Sequence, residues 1–333
     1  MWTQNTISSC VNIFFRESRK TMTDSKGLTM SVPLFFCQDG GIDYASLGKY
    51  ITQIGKLNKV AALYSMAYNT RYRMLDFEET IEVNRFLLEK CAEHSIPAYV
   101  GHPYIVNEKS LGSYLERIAD LQPLAVSMLY PERYFGLDKP ILDFLNFPAK
   151  FGLSTLAHEM KLVSGFDGEL IDWPESLIRE AIASDNTVAI KEDSKNDAIS
   201  SQVLREAKEH DVTFILAGGG KKRALKFMDE GLETWLNGTT MFLPEATDKI
   251  YTAIIEKDMS LVNFYCNNIE KPFFDKVVEP SGWHLAHKAA LEYFGFGTRI
   301  ERFPHAVMPE ADYKRYKPVF MSIDSCLAEF MSL

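Results

Sequence analysis

Thr187-Val188-Ala189-Ile190-Lys191, followed at once by Glu192-Asp193, decides how the rest of the chain is read. A run this short, apolar and β-branched is too brief for a helix and suits a strand buried in a parallel sheet. On either side the period changes. Pro174–Ala183 and Ser200–His210 are amphipathic stretches of helical spacing, and Thr213–Ala217 returns to a short apolar run. Continued in both directions, the alternation predicts strands at Thr29–Phe36, Val60–Ser65, Pro97–Gly101, Leu124–Leu129, Ile141–Phe147, Thr187–Lys191, Thr213–Ala217 and Glu233–Leu236. Helices are predicted between them at Tyr44–Ile54, Phe77–His94, Ser110–Leu121, Leu153–Leu162, Pro174–Ala183, Ser200–His210 and Lys222–Glu230. Eight strands in roughly 210 residues, joined by helical crossovers, match a closed (β/α)8 TIM barrel of the α/β class. A doubly wound open sheet is the rival, but no GxGxxG follows the first strand to mark a dinucleotide crevice.

The barrel is expected over residues 28–243, followed by a C-terminal helical extension over 244–333 that packs on it, with helices at Thr247–Lys257, Met259–Phe274 and Leu285–Tyr293. Residues 1–27 carry Arg16, Arg19 and Lys20 among Ser and Thr and read as a disordered leader; the apolar patch Val11–Phe15 is too short for a secretory signal. No internal repeat or low-complexity linker interrupts the rest.

At −9 net charge, with 46% hydrophobic and 24% charged residues among 333, the surface repels nucleic acid and anionic membrane, so a small molecule is the expected partner. No apolar run approaches the roughly 18 residues of a membrane span. Cys10, Cys37, Cys91, Cys266 and Cys326 are odd in number and widely spaced, which points to a reducing cytoplasm rather than a disulfide framework or a zinc site.

Active sites of such barrels lie where the strands end. Lys191 ends the opening stretch, and period two puts Ala189, Lys191 and Asp193 on one face. If that face is the lumen, the amine points into an apolar interior. Desolvation there favours a neutral amine, the form that attacks a ketone to make an imine. The plainer reading is a lysine paired with Asp193 or Glu192 at a strand exit.

Several segments together resemble the Schiff-base aldolases of the dihydrodipicolinate synthase/N-acetylneuraminate lyase family. Val188-Ala-Ile-Lys-Glu192 looks like the family's sixth strand, which ends in the imine-forming lysine. Asp39-Gly-Gly-Ile-Asp-Tyr44 resembles its first loop, Leu75-Asp-Phe-Glu-Glu79 the start of its second helix, Leu216-Ala-Gly218 its seventh-strand end, and Arg302-Phe-Pro304 an Arg-x-Pro near its C-terminus. The likeness runs from about residue 30 to 318. It implies catalysis through Lys191 on a 2-oxo acid, no cofactor or metal, and a homodimer or homotetramer.

The departures are equally specific. In place of the family's Gly-Thr-Thr-Gly-Glu loop, which holds the substrate carboxylate, stands Ala67-Tyr-Asn-Thr-Arg71, where Tyr68, Asn69 and Thr70 can donate hydrogen bonds and Arg71 or Arg73 can supply charge. On the expected fifth strand the family reads Tyr-Asn-x-Pro, its tyrosine relaying protons; Leu145-Asn-Phe-Pro148 has no hydroxyl there. Tyr130 matches a second family tyrosine, one that normally reaches the active site from a neighbouring subunit, and is a candidate catalytic hydroxyl unless it serves packing. Lys150 falls where some members carry an arginine for a second carboxylate, and is otherwise a solvated loop lysine. Gly218 is expected to line the substrate site.

Gly218-Gly-Gly-Lys-Lys-Arg223, opening a helix after strand seven, is either a turn with solvated charges or a phosphate cradle. Of the histidines, His102 is expected at the catalytic mouth, whereas His284 and His287 lie one turn apart in the extension; none forms HxH or HExxH. Three functions therefore remain open: an imine-forming lyase, a catalytically altered barrel that binds or regulates, and an aldolase for a phosphorylated substrate.

Overall fold

The computed structural model describes residues 26–65, 72–104, 106–131, 134, 136–159, 173–218 and 220–333, so the expected leader and the Tyr68-Asn69-Thr70 loop lie almost wholly or wholly outside it. Short buried runs form the strands β1 (Leu28–Ser31), β2 (Val60–Tyr64), β3 (Ala98–Gly101), β4 (Ala125–Leu129), β5 (Thr155–Glu159), β6 (Thr187–Glu192), β7 (Thr213–Leu216) and β8 (Thr234–Trp235). They pair in parallel in sequence order. Because β8 is only two residues long, polar groups help to close the ring: Thr29 bridges Leu236, the Thr29 and Thr234 hydroxyls lie 2.9 Å apart, and Asn237 donates its N–H to Thr29 O while its Oδ1 accepts the Ser31 N–H. The result is a (β/α)8 barrel.

Outside it run α1 (Tyr44–Ile54), α2 (Phe77–Glu93), α3 (Glu108–Ala119), α4 (Asp138–Asn146), α5 (Glu175–Ala183), α6 (Asp197–Glu209), α7 (Gly220–Phe227) and α8 (Thr247–Ile255), each following its strand. Local chemistry starts several of them. Asp43 caps α1, Asp76 and Glu79 form a reciprocal capping box on α2, and Asn107 with Ser110 does the same on α3, satisfying amide donors that a helix start leaves free. Most of the apolar core lies between sheet and helices, and a second cluster including Ala62, Tyr99, Ala125, Leu156, Ala189 and Ile215 fills the lumen.

One strand differs from expectation. Ile141–Phe147 is not the fifth strand: it lies in α4 and the short 3-10 turn after it, while Thr155–Glu159, expected within a helix, is β5. A fully buried parallel strand need not alternate, so Thr-Leu-Ala-His-Glu gives no period-two signal and its Leu, Ala and Glu favour a helix locally; pairing with β4 and β6 overrides that preference. The i,i+4 ion pair Lys139–Asp143 supports the helix in the neighbouring segment.

Beyond the barrel, α9 (Met259–Tyr265) continues without a break to Ser281 through two π turns, Cys266–Glu270 and Phe274–Val278, and is followed by α10 (Trp283–Tyr293) and α11 (Glu310–Ser332). α11, not anticipated as a helix, buries Tyr313, Tyr316, Phe320, Ile323, Leu327 and Phe330, a stripe spaced three and four apart. Arg302, in the segment between α10 and α11, makes a bidentate pair with Glu79 at 2.7 Å for each bond and donates its Nε–H to Gly40 O at 2.7 Å. It thereby ties the C-terminal segment to the first loop and to the start of α2. Among the described residues no helix is long and apolar enough to cross a membrane.

Candidate active site

Along each barrel strand every second side chain enters the lumen, so the position two beyond an apolar lumen residue also faces inward, nearer the C-terminal mouth. Beyond Ala62, Ala125, Leu156 and Ala189 come Tyr64, Ser127, His158 and Lys191, and each of these four is at most 3% exposed. A polar layer thus rests on an apolar floor. His158 and Lys191 are register partners across β5 and β6, and Lys191 Nζ lies 2.6 Å from His158 Nε2. Lys191 Nζ also donates to Asp193 Oδ2 at 3.3 Å, the ion pair foreseen as the plainer reading. Behind the imidazole, Nδ1 is 3.4 Å from the Tyr64 hydroxyl, which is 2.9 Å from Ser127 Oγ.

Burial keeps the middle of this row uncharged. Burial, then the neighbouring charge of Lys191 and a smaller influence of His102, hold the His158 pKa well below its ordinary value, so the ring is neutral. Burial raises the Tyr64 phenol above its usual range, which keeps its proton in place. Glu192, pointing to the opposite side of β6, instead binds Ser200 and lies 3.7 Å from Arg223.

Lys191 lines a cavity of about 400 Å³ at the C-terminal mouth. The barrel contributes Ser31, Asp193, Gly218 and Asn237 to its wall, and the segments beyond the barrel contribute Glu270, Phe274, Trp283 and His284. Gly218 has φ +73°, and a Cβ there would come within 2.9 Å of Lys195, so the turn requires glycine. A second buried lysine, Lys221, donates to Asn237 O at 2.6 Å and faces Glu270 at 3.8 Å. Burial lowers its pKa, opposed by the Glu270 charge.

Of the residues anticipated for the site, Lys191 and Gly218 meet at this cavity. Tyr130 is half-buried, its ring edge-on to Phe144 of α4 at 5.7 Å, and is not among the cavity residues. Lys150 is exposed on the outer layer, 3.8 Å from Glu108 and over the Phe147 ring, and does not reach the cavity either. His102, expected at the mouth, is engaged locally: Nδ1 lies 2.6 Å from Pro103 O and Nε2 accepts the Leu129 N–H.

Leu145 does not stand where it was expected either. Leu145 belongs to α4, buried with its carbonyl accepting from Thr155 Oγ1, so it does not mark a missing tyrosine on the fifth strand. The β5 residue opposite Lys191 is His158, whose segment carries no strand signal in the sequence to place it there.

The phosphate cradle fares worse. The Lys221 N–H, in the first turn of α7, already donates to Glu270 Oε2 at 3.1 Å, and Arg223 is spent on Asp197, Ala217 O and Ser200. A protein carboxylate holds the place an anion would take.

Neither a family model nor a curated protein matches the chain. Solved structures do. Dihydrodipicolinate synthase from Oceanobacillus iheyensis superposes with TM-score 0.74 at 15% identity, covering 95% of this chain and 100% of that one. The same-named enzyme from Bacillus clausii gives 0.74 at 17%, covering 91% and 99%. A catalytic-lysine mutant of the sialic acid aldolase from Ruminococcus gnavus gives 0.76 at 16%, covering 92% and 98%. The chain shares their fold. At these identities the likeness carries the barrel and its C-terminal helices, and the chemistry must be argued from the side chains.

Proposed function

We propose that the chain is a divergent member of the dihydrodipicolinate synthase/N-acetylneuraminate lyase family, and that it is a lyase of the class I aldolase type in which Lys191 forms an imine with a 2-oxo acid. The observation that carries this reading is the buried amine of Lys191 at the wall of the mouth cavity. Such an amine has a direct use: once neutral it adds to a ketone, and the protonated imine then draws electrons from the adjacent carbon–carbon or carbon–oxygen bond. The fold likeness to an aldolase described by its catalytic lysine supports the same reading.

Gly218 is assigned to the substrate side of the cavity; Tyr130, which does not line it, stays a candidate hydroxyl for the site of a neighbouring subunit, and Lys150, exposed on the outer layer, is given no part in it. The cavity volume falls within the range usual for small-molecule sites and accommodates a substrate larger than pyruvate itself. The family likeness further suggests a cytoplasmic homodimer or homotetramer.

The test is to incubate the protein with pyruvate and with longer 2-oxo acids, reduce with borohydride, and locate adducts by peptide mass. A covalent adduct on Lys191 that disappears in Lys191→Ala is the expected result. Failure of every 2-oxo acid to give an adduct would overturn the imine and favour a ligand-binding barrel, a reading supported by one observation: Lys191 is already satisfied by Asp193 and His158.

A further inference from the structure

We infer that His158 is a catalytic residue, the proton carrier of Lys191, and that Tyr64 and Ser127 are positioning residues that hold its ring in the working tautomer. The inference rests on the imine reading above and extends it to a residue that this reading does not need in order to stand.

The argument begins with register. His158 and Lys191 are paired on adjacent parallel strands, so the backbone itself holds both side chains on the lumen face and sets Nε2 against Nζ at 2.6 Å. The other ring nitrogen meets the Tyr64 hydroxyl at 3.4 Å, and that hydroxyl meets Ser127 Oγ at 2.9 Å. The four residues come from β2, β4, β5 and β6, elements that cannot move independently of the barrel. One direction of donation satisfies the whole row: Nζ–H to Nε2, Nδ1–H to the Tyr64 oxygen, and the Tyr64 O–H to Ser127 Oγ. That direction leaves Nε2 with its lone pair facing the amine.

This arrangement fits what imine formation asks of a neighbour. The Nζ lone pair adds to the ketone carbon, and the carbonyl π pair moves to oxygen. Nζ, now carrying an excess proton, passes one to His158 Nε2. The imidazolium delivers that proton to the alkoxide oxygen, which completes the carbinolamine; the remaining Nζ proton then follows by way of Nε2 to the hydroxyl, the C–O bond breaks, and water leaves as the electron pair left on nitrogen closes the C=N bond. Ketone and amine have become imine and water, and the histidine is neutral again. A ring that burial keeps from holding a proton is a ready donor in the second half of that cycle. Lys191, Asp193, His102 and Tyr64 are the titratable groups that bear on this row. Of these, Asp193, at 3.3 Å and partly exposed, is the rival proton acceptor.

A merely structural histidine would affect stability and leave the transfer rate alone. The experiment therefore measures the single-turnover rate of borohydride-trapped adduct on Lys191 in the wild type, His158→Gln, Tyr64→Phe and Asp193→Asn, with thermal unfolding recorded for each. His158→Gln keeps volume and polarity but cannot carry a proton. It is expected to slow adduct formation by at least about 100-fold, with the half-saturating 2-oxo acid concentration within about threefold of wild type. Tyr64→Phe is expected to slow it by about tenfold through loss of the tautomer lock, and Asp193→Asn by less than His158→Gln. Adduct formation at the wild-type rate in a folded His158→Gln protein would overturn the assignment while leaving the imine intact, as would a larger loss in Asp193→Asn. Absence of adduct in the wild type would overturn both.

Discussion

At the scale of residues, Lys221 and Glu270 place opposite charges in the cavity wall, the lysine 1% and the glutamate 8% exposed. A buried pair of this kind gains little over a well-packed apolar one, because each ion loses its hydration, yet stripping away one partner leaves an uncompensated charge. Glu270→Gln or Lys221→Met alone should therefore cost about 3–5 kcal/mol, and the double substitution Lys221→Met/Glu270→Leu should cost less than either. Urea unfolding of the four proteins checks it: a double variant as damaged as the sum of the singles would mean the two residues do not act as a pair. Glu270 also explains why the glycine-rich turn is not an anion cradle. Gly220 has φ +69°, and a Cβ there would stand 2.8 Å from Glu270 Oε2, so the turn is shaped around the protein's own carboxylate.

At the scale of elements, the C-terminal helices join the barrel in two ways. They supply Glu270, Phe274, Trp283 and His284 to the cavity, and the segment before α11 is tied to the first loop and α2 by Arg302. Hydrogen-bonding and the guanidinium charge hold the Glu79 carboxyl below its ordinary 4.5. A carboxyl with a depressed folded pKa contributes stability above its unfolded value, and that contribution is lost as pH falls through the folded one. Arg302→Met is accordingly expected to cost about 2 kcal/mol at pH 7, with the gap to wild type narrowing below pH ~4. Unfolding midpoints at the two pH values decide the matter; a gap that does not change would assign the loss to packing of the Arg302 guanidinium over the Phe36 ring. The Arg-x-Pro and the Leu75–Glu79 segment were both visible in the sequence as separate weak signals, but their bond joins residues more than 200 positions apart.

For the whole molecule, acid sensitivity follows from three buried histidines. Burial is the leading cause in lowering the pKa of His102, His158 and His287, the last to about 3, from an ordinary 6.5. A histidine kept neutral in the fold contributes fully above its unfolded pKa, and that contribution is lost as pH falls below 6.5 toward the folded value. The His287 ring, whose folded pKa is about 3, then costs about 1.4 kcal/mol for each pH unit below 6.5 down to that value. The urea midpoint should fall steeply between pH 6.5 and 4, and less steeply in His287→Gln; identical slopes would exclude His287 as a contributor.

The barrel could be read from sequence because its cause is local and repeated: short buried runs alternating with amphipathic stretches leave few other ways to hide the apolar faces. Lys191 could be read for the same reason, since a strand's period and its end depend on neighbours in the chain. What the tertiary structure alone decided was which segment forms the fifth strand, and with it the partner of Lys191. Thr155–Glu159 has no strand preference of its own and becomes β5 by pairing with β4 and β6. Only that pairing turns His158 inward against the lysine amine. The approach of Glu270 to the start of α7 belongs to the same class, because hydrogen bonds between distant residues leave no period in the chain that makes them.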